Sequence, residues 1–217
     1  SQRLSPVSYI GANTFFFHQG EQISLTTLQK RLAAAGYANV KQVLAAGEFA
    51  VRGSIVDVFP MGSERPFRLD FFDDEIESIR WFDVDTQRSM ESAEEIRLLP
   101  GHEFPVDPEA LLAFRQRWRR EFAGDPKKSI VYCDIEKEIL PPGIEYYLPL
   151  FFDETAALTD YLPPNARVFL LCDIEAALQA FGRDMASRYK VFAADPQRPA
   201  LAPERIWLKP EEFFKSL

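Results

Sequence analysis

The sequence predicts an α+β domain with an antiparallel sheet, followed by the remainder of an α/β domain. Three observations carry this. Residues 24–100 begin with helix-type spacing and then turn to runs of alternating apolar residues separated by turn residues. Pro100, Gly101 and Pro105 interrupt that pattern. Beyond them, helix-type and strand-type segments alternate, as they do in parallel α/β chains.

Each element has a local reason. Ser24 is placed to cap a helix whose inner face is Leu25, Leu28, Leu32 and Ala35, with Gly36 ending it. Residues 40–46 read as a second short helix stopped at Gly47. Residues 49–59 are β-branched and alternating, hence strand-like. Residues 60–66 form a turn. Phe67–Phe72 and residues 76–83 form a hairpin around Asp73, Asp74 and Glu75. After the boundary, residues 108–122 make an amphipathic helix with Leu111, Leu112, Phe114 and Trp118. Residues 130–139 are apolar but of open type. Pro141, Pro142 and Gly143 break the chain. Residues 166–172 read as a buried strand, Asp173 as the cap of a helix to about residue 187, and residues 189–193 as a last strand. The tail carries Pro196, Pro199, Pro203 and Pro210 and ends in a short helix.

Composition narrows the function classes. Of the 217 residues, 47% are apolar and 19 are phenylalanine, which supports real cores and excludes disorder. The net charge is −8, with 9 basic and 14 acidic residues in 18–100 and 15 and 19 in 101–217. Neither half suits nonspecific phosphate binding. Cys133 and Cys172 read as buried free thiols. No apolar run is long enough to span a bilayer, and no membrane role is expected.

Strand parity singles out one face. Side chains alternate, so Phe67, Leu69 and Phe71 point inward while Arg68, Asp70 and Phe72 point outward. An outward phenylalanine near an arginine suits a protein interface, where arginines and aromatics concentrate. The plainer alternative puts Phe72 under a loop and pairs Arg68 with Asp70 or Asp74.

The wording around this strand resembles a known family. Arg52-Gly53, Ile55 to Pro60, Arg68 to Glu77, and Phe82-Asp83 with Thr86 are similar to the small inserted domain of the excision-repair protein UvrB. The longer wording, including Phe59 to Glu64 and Trp81 to Arg88, is similar to the bacterial transcription-repair coupling factors (Mfd), which carry a degenerate UvrB-like module. Residues 140–146 and 162–171 extend the resemblance over nearly the whole chain. It implies three segments: 1–17, the tail of a preceding α/β segment; 18–100, a UvrB domain-2-like unit that binds the damage-recognition ATPase UvrA; and 101–217, a degenerate helicase-like α/β scaffold with a connector. It assigns Arg52, Arg68 and Phe72 to the UvrA interface. RNA polymerase and DNA are implied as partners only of other domains of the family's full-length, ATP-driven translocases. The chain itself is expected to be a monomeric, cytoplasmic, non-enzymatic module without cofactor.

Other chemistry is weakly supported. There is no Gly-x-x-x-x-Gly-Lys loop to cradle phosphates. Where UvrB places an acidic helicase motif, this chain has Leu171-Cys172-Asp173-Ile174-Glu175, so the metal-holding carboxylates of an ATP site are missing. Asp70, Asp73, Asp74, Glu75 and Glu77 read as a solvated hairpin tip before they read as a metal site. His18 and His102 lack a third partner. The alternative function, a UvrB-like helicase fragment touching DNA or nucleotide, needs a long hairpin after Gly143-Ile144-Glu145. Here Tyr146 and Tyr147 run directly toward Phe151 and Phe152.

Overall fold

The computed structural model describes residues 2–217. It divides into two compact units, one of residues 10–106 and one of residues 107–217 with the segment ending at Tyr9. The first boundary falls within α1 (Val7–Ala12).

The 10–106 unit is built on two antiparallel pairings of different size. β1 (Phe15–His18) pairs with the last strand of the unit, β8 (Glu95–Leu98), and α2 (Leu25–Ala34) follows β1. The main sheet has six strands in chain order: β2 (Ala38–Asn39), β3 (Glu48–Arg52), β4 (Ile55–Phe59), β5 (Phe67–Phe72), β6 (Glu75–Phe82) and β7 (Ser89–Ala93). All neighbours are antiparallel except the two-residue β2–β3 pairing. Ser24 caps α2 through its hydroxyl, which accepts from the Thr27 N–H at 3.2 Å. Leu28 and Leu32 on α2 pack with Phe49, Val56, Val58, Phe67, Leu69 and Phe71 on one face of the sheet. The antiparallel α+β expectation for this unit therefore holds.

Three details differ from the sequence reading. Residues 40–46 are not a helix. The Glu48 carboxylate accepts from the N–H groups of Leu44 and Ala45, at 2.8 and 2.9 Å, and fixes a turn instead. That turn buries Val43 with Ala50 and Phe82 on the opposite face of the sheet. The run 49–59 is two strands, β3 and β4, because Gly53 adopts φ +62° and reverses the chain. β7 is polar and mostly exposed, and β8 alternates over only four residues, so neither was read as a strand.

The 107–217 unit departs further. Its elements are α3 (Pro108–Glu121), α4 (Ile130–Glu136), α5 (Ile174–Phe192), α6 (Pro203–Ile206), α7 (Pro210–Lys215) and short 3-10 turns. Among the described residues it has no strand beyond the isolated bridges Gln2–Trp207 and Leu4–Ala156. The expected parallel sheet is therefore absent from it. Residues 166–172 are irregular, and Val168 to Leu171 are exposed rather than buried, with no strand alongside to complete their backbone pairing. Residues 189–192 continue α5 in place of the expected strand, and its N-cap is Asp173 as expected, accepting from the Ala176 N–H at 2.9 Å. Of residues 130–139, Ile130–Glu136 form α4, capped by Ser129. The core is aromatic: Phe114 and Trp118 of α3 meet Tyr132, Tyr147 and Phe151. Cys133 is half-buried and Cys172 exposed, so neither is the buried thiol expected. No helix among the described residues is long and apolar enough to cross a membrane.

Candidate protein interface

The second face of the six-stranded sheet carries the residues singled out by parity. The ladder sets two rows. Arg52 lies opposite Ile55, which lies opposite Asp70, opposite Ser78. One row along, Ala50 lies opposite Asp57, Arg68 and Arg80 in turn. Cross-strand neighbours on one face stand close enough for side chains to meet. Phe72 follows Asp70 by one step of alternation, at the end of β5 where the turn through Asp73 begins.

Asp57 is the centre of this face, and the sequence reading missed it. It sits mid-strand at 1% exposure, with its carboxylate shared by two arginines. Arg68 donates from Nε to Oδ1 at 2.6 Å and from Nη2 to Oδ2 at 2.9 Å, a planar two-pronged pairing. Arg52 donates from Nη2 to the same Oδ2. The Arg68 Nη1 donates to the Gln87 carbonyl and the Ser89 hydroxyl, both at 3.1 Å. Its guanidinium also lies 4.9 Å from the centre of the Phe82 ring. The hydrogen bonds that Arg68 donates to Asp57 raise the Arg68 pKa above its ordinary value, against the opposing effect of burial. The signal available in the sequence was an aspartate between Val56 and Val58 in a strand interior, where carboxylates are scarce unless paired.

Arg52, Arg68 and Phe72 share this face but differ in exposure. Phe72 is 70% exposed, while Phe71 is buried, so the parity assignment holds and no loop covers Phe72. The Arg52 side chain is 47% exposed. The Arg68 side chain is only 12% exposed, and each of its three nitrogens bonds within the unit. Its partner is Asp57, not Asp70 or Asp74 as the plainer reading had it; Asp70 accepts instead from the Ser78 hydroxyl at 3.2 Å.

The turn after β6 explains another part of the motif. Asp83 accepts from the Thr86 N–H and hydroxyl, each at 2.7 Å. These bonds, the hydroxyl first, hold the Asp83 carboxyl below its usual range. The turn they fix brings Gln87, at φ +58°, into the left-handed region with its carbonyl toward Arg68.

Other candidates resolve differently. His18 lies 3.6 Å from the Glu95 carboxylate at the surface. His102 stacks on Phe104 at 5.6 Å, and burial pushes its imidazole below the ordinary value. The helix arginines brace the second unit: Arg117 pairs with Asp153 at 2.7 Å, and Arg119 lies over Tyr132. Among the described residues, no group of three or more His, Cys, Asp or Glu is arranged to hold a metal.

Comparison with known proteins places these features. Residues 15–104 match the family described as the UvrB interaction domain. The chain is 43% identical to the transcription-repair-coupling factor of Escherichia coli and 45% identical to that of Haemophilus influenzae. Each match covers all of this chain and 19% of the relative. The Bacillus subtilis transcription-repair-coupling factor is 33% identical over 77% of the chain and 15% of the relative. The chain thus spans less than a fifth of these relatives' length. Residues 15–104 thus match the UvrB interaction domain family, and the chain as a whole is similar to one segment of the transcription-repair-coupling factors.

Proposed function

We propose that the 10–106 unit is a docking module that recruits UvrA to transcription-coupled excision repair. The observation that carries the reading is Phe72, a phenylalanine 70% exposed on a strand otherwise well packed. A side chain of that size left in water on an ordered sheet is suited to filling a partner's pocket. Arg52 stands on the same face with part of its guanidinium free to meet a carboxylate or carbonyl. Arg68 supports that face from within.

In this reading the chain acts by binding and not by catalysis. RNA polymerase and DNA are engaged elsewhere in a longer protein, and the 107–217 unit serves as scaffold. The net charge of −8 favours a protein partner over a nucleic acid. The test is a pull-down of purified UvrA by the 217-residue chain and by its Phe72→Ala variant. Capture by the first and loss of capture by the second, with unchanged melting, supports the reading. Equal capture by both removes Phe72 from the interface.

A further inference from the structure

We infer that Asp57 is a positioning residue for partner binding: it holds the Arg52 guanidinium in place on the face that also carries Phe72, and Arg68 locks Asp57 for that task. The inference rests on the docking reading and adds to it a residue that never touches the partner.

The geometry distinguishes three tasks on one face. Arg68 bonds both Asp57 oxygens through Nε and Nη2 and donates from Nη1 to Gln87 and Ser89. Its charge is therefore largely cancelled inside the domain. Arg52 takes only Oδ2, through one nitrogen, and its side chain stays 47% exposed. Two guanidiniums share one carboxylate, so the net positive charge of the group appears at Arg52, the more exposed of the pair. Asp57 is nine-tenths and more buried, which makes it a fixed anchor and not a competing surface anion.

A free arginine side chain samples many rotamers, and ordering one on binding lowers affinity. Tethering Arg52 before the partner arrives removes part of that cost. It also fixes the direction in which the free N–H groups point. Such preorganisation improves affinity by about three- to tenfold for one rotamer-rich side chain.

The experiment is a double-mutant cycle on UvrA affinity, with Asp57→Asn and Arg52→Ala made singly and together in the 217-residue chain. Asp57→Asn keeps the shape and removes the charge. It is expected to weaken binding about three- to tenfold in the wild-type background and to have no effect once Arg52 is alanine. A merely structural role for Asp57 would weaken binding equally in both backgrounds, and that result overturns the inference. So does an Asp57→Asn chain that binds like wild type. Unmodified protein gives a second reading should Asp57→Asn fail to fold. The Arg52 Nη resonances are expected to be distinct in a nitrogen-resolved NMR spectrum, and a single averaged signal overturns the tether. The failures separate cleanly. If Arg52→Ala weakens binding while Asp57→Asn does not, docking stands and the positioning falls. If Phe72→Ala and Arg52→Ala both bind like wild type, the docking reading falls and takes the positioning with it.

Discussion

Replacing Arg68 by alanine is expected to damage the fold before it says anything about binding. The side chain makes two hydrogen bonds to a buried carboxylate and two to groups across the sheet, and it covers the Phe82 ring. Removing one member of a buried ion pair costs about 3–5 kcal/mol, because the other charge stays behind unpaired. Arg52 still reaches Oδ2 of Asp57, so the lower end applies, about 3 kcal/mol. For a unit of this size, each kcal/mol moves the midpoint by ~4–8 °C, so melting should fall by roughly 12 °C or more. Urea titration followed by tryptophan fluorescence and far-UV dichroism measures it, and hydrogen exchange at β4 and β5 amides localises it to this unit. Arg68→Lys should recover only part of the loss, since an ammonium cannot reproduce the planar fork. If Arg68→Ala changes stability by less than about 0.5 kcal/mol, as a surface substitution does, the buried pairing is not formed in solution. The consequence for function is direct. Lost UvrA binding in an Arg68 variant does not by itself make Arg68 a contact.

Further predictions separate surface from support. Phe72→Ala should lower UvrA affinity by ~2 kcal/mol, roughly thirtyfold, with melting unchanged; calorimetry and a thermal scan read the two. Gly36→Ala should destabilise the unit by about 1–3 kcal/mol, because Gly36 sits at φ +87° and an added Cβ would lie 2.6 Å from Cδ2 of His102; urea unfolding measures it. Burial lowers the His102 pKa in the fold, so the unfolded chain takes up the proton first. Its contribution is therefore complete above the ordinary value of 6.5 and is lost as pH falls through the lower folded value. Melting at pH 5 relative to pH 7.5 should fall less in His102→Gln than in wild type.

How much of this was legible depended on whether the deciding partner is near in sequence. Ser24, Gly36 and Asp173 act on their own turns, and their roles follow from local chemistry. Phe67 to Phe71 alternates apolar and polar, so the faces, and with them the outward place of Phe72, could be assigned before the neighbours were known. The sharing of Asp57 by Arg52 and Arg68 needs the β3–β4–β5 register, which depends on recognising that Gly53 splits one apolar run into a hairpin. Residues 40–46 have helix-type apolar spacing, but Glu48 and the pocket around Val43 outweigh it. Val168 to Leu171 show the opposite failure. An apolar run reads as a buried strand only if another strand pairs with it, and none of the described residues does.

The sheet also limits where a partner can approach. One face of β3 to β6 packs under α2, and the middle of the other is closed by Val43, Phe82 and the turn at Gln87. What remains open is the end where two hairpin turns come together, Gly53 and Ser54 on one side and Asp73 and Asp74 on the other. Arg52 and Phe72 flank those turns. The turn through Ser63 and Glu64 joins β4 to β5 at the opposite end. A bulky group attached at Ser54→Cys should therefore block UvrA capture, while the same group at Glu64→Cys should not. Both positions are exposed, so neither label disturbs packing. Cys133 and Cys172 must first be replaced by serine, since Cys172 is exposed and would react. Capture blocked at Glu64 and spared at Ser54 would place the partner at the wrong end of the sheet. It would separate Phe72 from the interface, whatever its exposure.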